Sequence, residues 1–240
     1  VNLFIIPDVH QNWRTARKFR ESKQALSADT AVWLGDFLDD FNSTKEDFLE
    51  TLNLVWEVLA YGDKVLFGNH DIQYIFGPRY ICSGYQSAFK DLIDDDLKNM
   101  WREKGSVSYW VHRTDNANPL IMAHAGFTAN NVSNAYIYEE TGKCQVKEDL
   151  VYQRVTQYTS AGRYRGGKFP VGGPLWLDWN KEFCAVSGYN QVVGHTRNEF
   201  HLVRECHAID GSSINFCIDN GLQAAMLLDT ETMEYEMVLP

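Results

Sequence analysis

VNLFIIPDVH, the run from Val1 to His10, begins with an unbroken apolar segment that stops at an aspartate and a histidine. A short continuous apolar run closed by a proline reads as a strand buried on both faces. Outward from it, Trp13 to Leu26 is polar with scattered apolar residues and reads as a helix. Ala31 to Leu34 (AVWL) is a second strand. Lys45 to Tyr61 sets Phe48, Leu49, Leu52, Val55 and Leu59 at helical spacing. Lys64 to Phe67 (KVLF) follows as a third strand. Strand and helix in alternation argue for a parallel sheet with crossover helices, the α/β class.

The second half reads as richer in strands. Val107 to Val111, Leu120 to Ala123, Gln191 to Val193, Ile214 to Ile218, Ala224 to Leu228 and Glu234 to Val238 all have strand composition. Asn220-Gly221 and Asp229-Thr230 separate the last three, which predicts a meander. Between Asn130 and Gly173 the pattern is least regular, with a helix expected near Lys147 to Tyr158 and a basic, glycine-rich run from Gly162 to Lys168. No repeat or Pro/Ser-rich linker divides the chain, so one domain is expected over residues 1–240, with a lid or insertion at about 130–173.

Composition narrows the function classes. At 45% hydrophobic and 22% charged residues the 240-residue chain can bury a large core, which excludes a disordered or fibrous protein. A net charge of −10 gives no global basic footprint, so no obligate nucleic-acid partner is expected. No apolar run reaches the roughly 18 residues that span a bilayer, so no membrane partner is expected. Val1 to Pro7 lacks a basic n-region and a long apolar stretch, so it does not read as a signal peptide. The five cysteines, Cys82, Cys144, Cys184, Cys206 and Cys217, are irregularly spaced and form no C-x-x-C, which fits small hydrophobes in a reducing compartment such as the cytoplasm.

The chemistry gathers after the strands. Asp8-Val9-His10 follows the first, Gly35-Asp36-Phe37-Leu38-Asp39-Asp40 the second and Gly68-Asn69-His70-Asp71 the third. His124-Ala125-Gly126 and Gly194-His195-Thr196 follow the strands ending at Ala123 and Val193. Ligands of open α/β sheets bind outside the carboxyl ends of strands. Asp8 and Asp36 lie 28 residues apart and Asp36 and Asn69 33 apart, about one strand-helix-strand unit each, so these loops should meet on one edge. They gather oxygen and nitrogen donors without cysteine, a set suited to Mn²⁺, Fe or Zn²⁺ rather than Ca²⁺. Phe37 and Leu38, inside a motif, should pack beneath it.

The ordered series DVH, GDFLDD, GNHD, HAG and GHT resembles the calcineurin-like metallophosphoesterases, and among them most closely the bacterial and phage phosphoprotein-phosphatase-like enzymes. PLWLD at Pro174 to Asp178 and IDNG at Ile218 to Gly221 resemble further segments of such phosphatases. The resemblance implies a four-layer sandwich of two mixed β-sheets flanked by helices. It also implies two divalent metal ions, Mn foremost with Fe or Zn as alternatives. Asp8, His10 and Asp36 would hold the first, and Asp36 would bridge to a second completed by Asn69, His124 and His195. Two cations about 3.5–4 Å apart repel, and a shared carboxylate offsets this. A metal-activated hydroxide would attack phosphorus. His70 would protonate the leaving oxygen and Asp39 would orient its ring, a contribution of about 10²–10⁴-fold.

The chain departs from the phosphatase pattern at Asp40, where an arginine would grip the substrate phosphate. Arg197 also replaces the second histidine of the GHxH branch. Substitutes for the missing clamp are Arg197, Arg163, Arg165 and Lys168, although the last three also read as ordinary charges on a solvated loop. The expected activity is a phosphatase-like monoesterase acting on a phosphorylated small molecule, a phosphoprotein or a nucleotide. The alternatives are a phosphodiesterase, a nucleotide-polyphosphate hydrolase or a nuclease, and more remotely a non-catalytic scaffold. The bacterial or phage-infected cytoplasm rests on the resemblance.

Overall fold

Leu3, Phe4, Ile5 and Ile6 are all fully buried, as a strand covered on both faces demands. In the computed structural model, which describes residues 1–42, 44–77, 81–105, 109–113, 118–129 and 159–240, they lie in strand β1 (Asn2–Ile6). β1 pairs in parallel with β2 (Thr30–Trp33), and β2 with the short β3 (Lys64–Val65). On its other side β1 pairs antiparallel with β9 (Ala225–Asp229), which pairs with β10 (Tyr235–Val238). The first sheet therefore has the order β10-β9-β1-β2-β3. The second has the order β4-β5-β6-β8-β7, from β4 (Trp110–His112), β5 (Leu120–Ala123), β6 (Asn190–Val193), β7 (Arg204–His207) and β8 (Ile214–Cys217). Its centre is parallel, β5 with β6 and β6 with β8, and its edges are antiparallel.

The alternation of β1 assigns its faces. Leu3 and Ile5 join Val32, Met226 and Leu228 against Leu120, Met122, Val192 and Phe216 of the second sheet. That apolar layer holds the two sheets face to face. Phe4 and Ile6 point the other way, into a cluster with the helices. There α1 (Trp13–Glu21) brings Ala16 and Phe19, and α3 (Lys45–Tyr61) brings Phe48, Leu52, Val55, Val58 and Leu59. Ile72 and Ile75 come from α4 (Asn69–Ile75), and Leu97 and Trp101 from α5 (Asp95–Lys104). Among the described residues the fold is an α/β sandwich of two mixed five-stranded sheets with flanking helices, as expected.

Several expected elements take a different form. The helix expected over Trp13 to Leu26 is two, because the Ser22 hydroxyl accepts from Ala25 N–H at 3.1 Å and caps α2 (Lys23–Ser27) instead of continuing α1. The expected terminal meander is not formed. β8 stays in the second sheet, and Asn220-Gly221 is a corner that carries the chain across the core to β9 in the first. The Asn220 amide fastens that corner, donating to Leu202 and Ala224 carbonyls at 3.1 and 3.0 Å. β7 was not expected, since Arg-Glu-Cys-His on a sheet edge carries no apolar pattern. The acidic run Asp94-Asp95-Asp96 starts α5, with Asp94 as its cap at 2.7 Å from Leu97 N. The expected helix at Lys147 to Tyr158 and most of the segment 130–173 lie outside the described residues. Among the described residues no helix is long and apolar enough to cross a membrane.

Candidate metal centre

The loops leaving β1, β2, β3, β5 and β6 are laced together by their own backbone. The Asp36 carbonyl accepts from Val9 N–H at 3.0 Å and His10 N–H at 2.7 Å, and Gln11 N–H donates to the Phe37 carbonyl at 2.8 Å. Gly194 N–H donates to the His124 carbonyl at 2.8 Å, joining the loops of β5 and β6. His10, Asp36, Asp39 and His195 take φ of 43, 48, 62 and 64°, a left-handed conformation that costs a non-glycine residue about 1 kcal/mol or more. Phe37 and Leu38 are fully buried beneath the site.

Asp36 stands at the junction. Its Oδ1 accepts from His70 N–H at 2.9 Å, while Oδ2 lies 3.6 Å from His10 Nε2 and 3.4 Å from His124 Nε2. Two donor groups share it: Asp8, His10 and Asp36, and Asp36, His124 and His195. Asn69 joins the second, its Oδ1 3.0 Å from His124 Nε2. Asp8 is anchored by His195 N–H, 3.1 and 3.0 Å from its two oxygens. Both histidine rings are aimed from behind. His10 Nδ1 lies 2.8 Å from the Asp39 carbonyl, and His124 Nδ1 2.8 Å from the Leu34 carbonyl. A ring that donates from Nδ1 to a carbonyl presents its Nε2 lone pair forward, as metal-ligating histidines do.

Two glycines of the motifs exist to let these groups approach. A Cβ at Gly68 would stand 2.5 Å from Asp36 Cγ and overlap its Oδ1, and one at Gly194 would overlap Asp8 Oδ1. Asp71, the last residue of GNHD, is a brace rather than a donor. Its oxygens accept from Gly68 N–H at 2.9 Å and Leu38 N–H at 3.1 Å, tying the loops of β2 and β3.

Protonation follows this crowding. Burial raises Asp8, and the nearby Asp219 carboxylate raises it further, well above the usual range. Burial also opposes ionisation of Asp36, but His124 and His70 outweigh it and hold this carboxyl well below the usual range. Burial disfavours charge on His124, yet Asp36 and Asp8 bring it up to about 9. Burial and the neighbouring His124 drive His195 well down.

The residues fit a pair of divalent cations. His124 Nε2 faces Asn69 Oδ1, His195 Nδ1 at 3.2 Å and Asp36 Oδ2, four electron-pair donors converging on one point. A ring nitrogen can direct one proton at one of them, whereas a cation satisfies all. Among the described residues His195 Nε2 is buried without a hydrogen-bond partner, so Nδ1, 3.2 Å from His124 Nε2, is the nitrogen that this ring offers to the cluster.

Beside the centre His70 Nδ1 sits 3.0 Å from Asp39 Oδ2. Asp39 also accepts from the Gln73 amide and the Tyr74 hydroxyl. Burial raises the Asp39 carboxyl against the downward pull of the His70 and Tyr74 hydrogen bonds. Burial works against a charged His70, but the Asp36 charge and the Asp39 bond prevail and push it up to about 11.

The proposed clamp residues separate. A cleft of about 370 Å³ opens over Asp8 and His10, with Arg197, Asp40 and Gly221 in its wall. The Arg197 guanidinium lies over Gly221, where a side chain would displace it. Arg165 is bonded to Asp178 at 3.0 Å and to the Thr196 hydroxyl at 2.8 Å, next to His195. Arg163 and Lys168 are exposed on the same turn, and among the described residues their side chains make no bond to the site. Trp176 presents its ring to that of His195, centroids 5.8 Å apart. Sequence reasoning noted Asp219 only as part of the IDNG segment and gave it no place at the site. It is buried, on the turn after β8, and close enough to Asp8 to raise it. Its signal was the one shared by the other motifs, an acid directly after a buried strand.

The model of a family described as calcineurin-like phosphoesterase matches residues 1–197. A solved metallophosphoesterase from Sphaerobacter thermophilus superposes with a TM-score of 0.52 at 12% identity, covering 99% of this chain and 88% of that one. A solved archaeal phosphodiesterase covers 100% of both chains at 14% identity with a TM-score of 0.44. A protein from Pyrococcus horikoshii gives 0.48 at 12% identity, over 99% of this chain and 87% of that one. At such identities the first of these likenesses speaks for the fold alone. A search of curated proteins returned no match.

Proposed function

This chain belongs to the calcineurin-like phosphoesterase family, and we propose that it is a phosphatase-like phosphomonoesterase with a dinuclear centre bridged by Asp36. The observation that carries the reading is Asp36 Oδ2, set between His10 and His124 at 3.6 and 3.4 Å, where one carboxylate serves two donor groups. Asp8 and His10 would hold one divalent cation and Asn69, His124 and His195 the other. When bound, such a pair supplies a water of lowered pKa and positive charge for the phosphoryl oxygens. Mn²⁺ suits the mixed oxygen and nitrogen donors, with Fe or Zn²⁺ as alternatives.

The remaining steps belong to side chains. Asp39 fixes Nδ1 of His70, and the Asp36 charge together with that bond favours the charged ring, so Nε2 carries the proton that the leaving oxygen needs. Asp39 is a positioning residue, itself held by Gln73 and Tyr74. Arg197, in the cleft over Asp8 and His10, would pair with the non-bridging phosphate oxygens. Arg165, braced by Asp178, would add positive potential near His195. The closeness to phosphoprotein-phosphatase-like enzymes and a cytoplasmic setting are part of the same proposal.

One observation favours a second reading, a phosphodiesterase. Asp40 shares the cleft wall with Arg197 and would oppose a dianion more than a diester monoanion. Hydrolysis of para-nitrophenyl phosphate and bis-para-nitrophenyl phosphate by the Mn²⁺-loaded protein separates the two. The proposal expects faster monoester turnover and a higher KM for it in Arg197→Ala. Faster diester turnover, with the monoester improved in Asp40→Asn, would transfer the assignment to the phosphodiesterase.

A further inference from the structure

Beside the dinuclear donors, the loop after α4 brings Cys82 against the His70–Asp39 pair. Its Sγ lies 3.5 Å from His70 Nδ1, which lies 3.0 Å from Asp39 Oδ2. One donor atom from each of the three falls within 4.8 Å of the others. The loop is held there, since Cys82 N–H donates to Gln73 Oε1 at 2.8 Å and the same glutamine's amide donates to Asp39. Sγ also lies 3.7 Å from the Asn69 amide nitrogen.

We propose that Asp39, His70 and Cys82 form a third, mononuclear site for a thiophilic divalent cation, zinc foremost. Zinc bonds of about 2.3 Å to sulfur and about 2.0–2.2 Å to nitrogen and oxygen, at tetrahedral angles, put sulfur and nitrogen about 3.6 Å apart and nitrogen and oxygen about 3.4 Å apart. The observed 3.5 and 3.0 Å need only a small opening. Outer-shell support is present, because Gln73 and Tyr74 already orient the carboxylate. The thiolate sets the site apart from the dinuclear groups, whose donors are carboxylates, imidazoles and an amide.

Binding uses the lone pairs of His70 Nδ1 and Cys82 Sγ, and any proton on either atom leaves to solvent. With Nδ1 taken by the ion the ring can no longer hold a proton on both nitrogens, so occupancy withdraws the acid. Binding stands on this geometry alone, while inhibition rests on the reading of His70 as the proton donor. Occupancy of this third site would then stop turnover.

Cobalt(II) titration of the metal-free chain tests it. A near-ultraviolet thiolate-to-cobalt band is expected in the wild type and in Cys184→Ser, and is lost in Cys82→Ser together with one cobalt per chain. Visible d–d bands that remain in Cys82→Ser report the dinuclear centre separately, so failure of that centre and failure of this site are told apart. In the unmutated chain, saturating zinc should slow iodoacetamide labelling of Cys82 but not of the exposed Cys184. No thiolate band, a band that persists in Cys82→Ser, or Cys82 labelling unchanged by zinc would overturn the proposal.

Discussion

Gly68→Ala adds one methyl group to the most crowded point of the centre. The new Cβ would stand 2.5 Å from Asp36 Cγ, and ordinary contact begins at 3.4 Å. Asp36 must retreat by about 1 Å, or the N-terminus of α4 must lift by as much. Either motion breaks the 2.9 Å bond from His70 N–H to Asp36 Oδ1 and parts the carboxylate from His10 or His124. A displacement of about 1 Å at a reacting centre can cost about 10²-fold in rate. The expected result is a fall of about 100-fold or more in kcat on para-nitrophenyl phosphate at saturating Mn²⁺, with Mn content below wild type by elemental analysis. Gly62→Ala is the control. Gly62 ends α3 with φ 84° and a Cβ there would meet nothing within 4 Å, so it should lose about 1 kcal/mol of stability and no turnover per bound metal. Full metal content and full kcat in Gly68→Ala would refute the placement of Asp36 as the bridge.

Further outcomes follow from the same structure. Trp101, fully buried and stacked on Phe67 at 5.3 Å between ring centroids, supports the loops of β2 and β3, so Trp101→Ala should cost about 3–5 kcal/mol in urea unfolding. In the metal-free chain the His70 ring should not titrate between pH 6 and 9 by NMR, and Asp36→Asn should bring its midpoint down toward neutrality. Because its folded value, about 11, exceeds the ordinary 6.5, the stabilisation from His70 is complete below pH 6.5 and lost as pH rises through about 11. A midpoint near 6.5 in the metal-free wild type would contradict this. The Thr44–Asp47 box caps α3, and Thr44→Ala should remove about 1 kcal/mol, a fall in Tm of about 2–4 °C by calorimetry. Hydrogen bonds from Thr44 hold Asp47 down at about 2, so the carboxylate's own share of the box is present above the ordinary 3.8 and is lost as pH falls toward 2, while the bond from Asp47 N–H to the Thr44 hydroxyl stays.

The strands that build the site were legible because burial on both faces leaves an apolar run with no alternative reading. Val1 to Pro7 is the example, and the donors after it follow at once. That the motif acids, imidazoles and Asn69 gather at one place was legible from their order and strand-end position. What the sequence hid was paid out in polar residues. Ser22 splits a helix by one hydroxyl contact, and β7 is an edge strand whose Arg-Glu-Cys-His carries no periodicity. Asn220-Gly221 has the letters of a hairpin, yet the pairing of β8 with β6 and of β9 with β1 makes it a corner between sheets. Asp219 and Cys82 reach the site through such loops, and only the fold shows that they do. Arg165 and Arg197 could be separated from Arg163 and Lys168 only once the cleft and the Asp178 and Thr196 contacts were in place.

The central claim is that one carboxylate joins two cations, and electron paramagnetic resonance of the Mn²⁺-titrated protein addresses it directly. The account predicts a spin-coupled pair signal that grows to two Mn²⁺ per chain and is replaced in Asp36→Asn by the six-line signal of isolated ions. A wild-type protein that shows only isolated Mn²⁺ at saturation, or a coupled signal that survives Asp36→Asn, would contradict it.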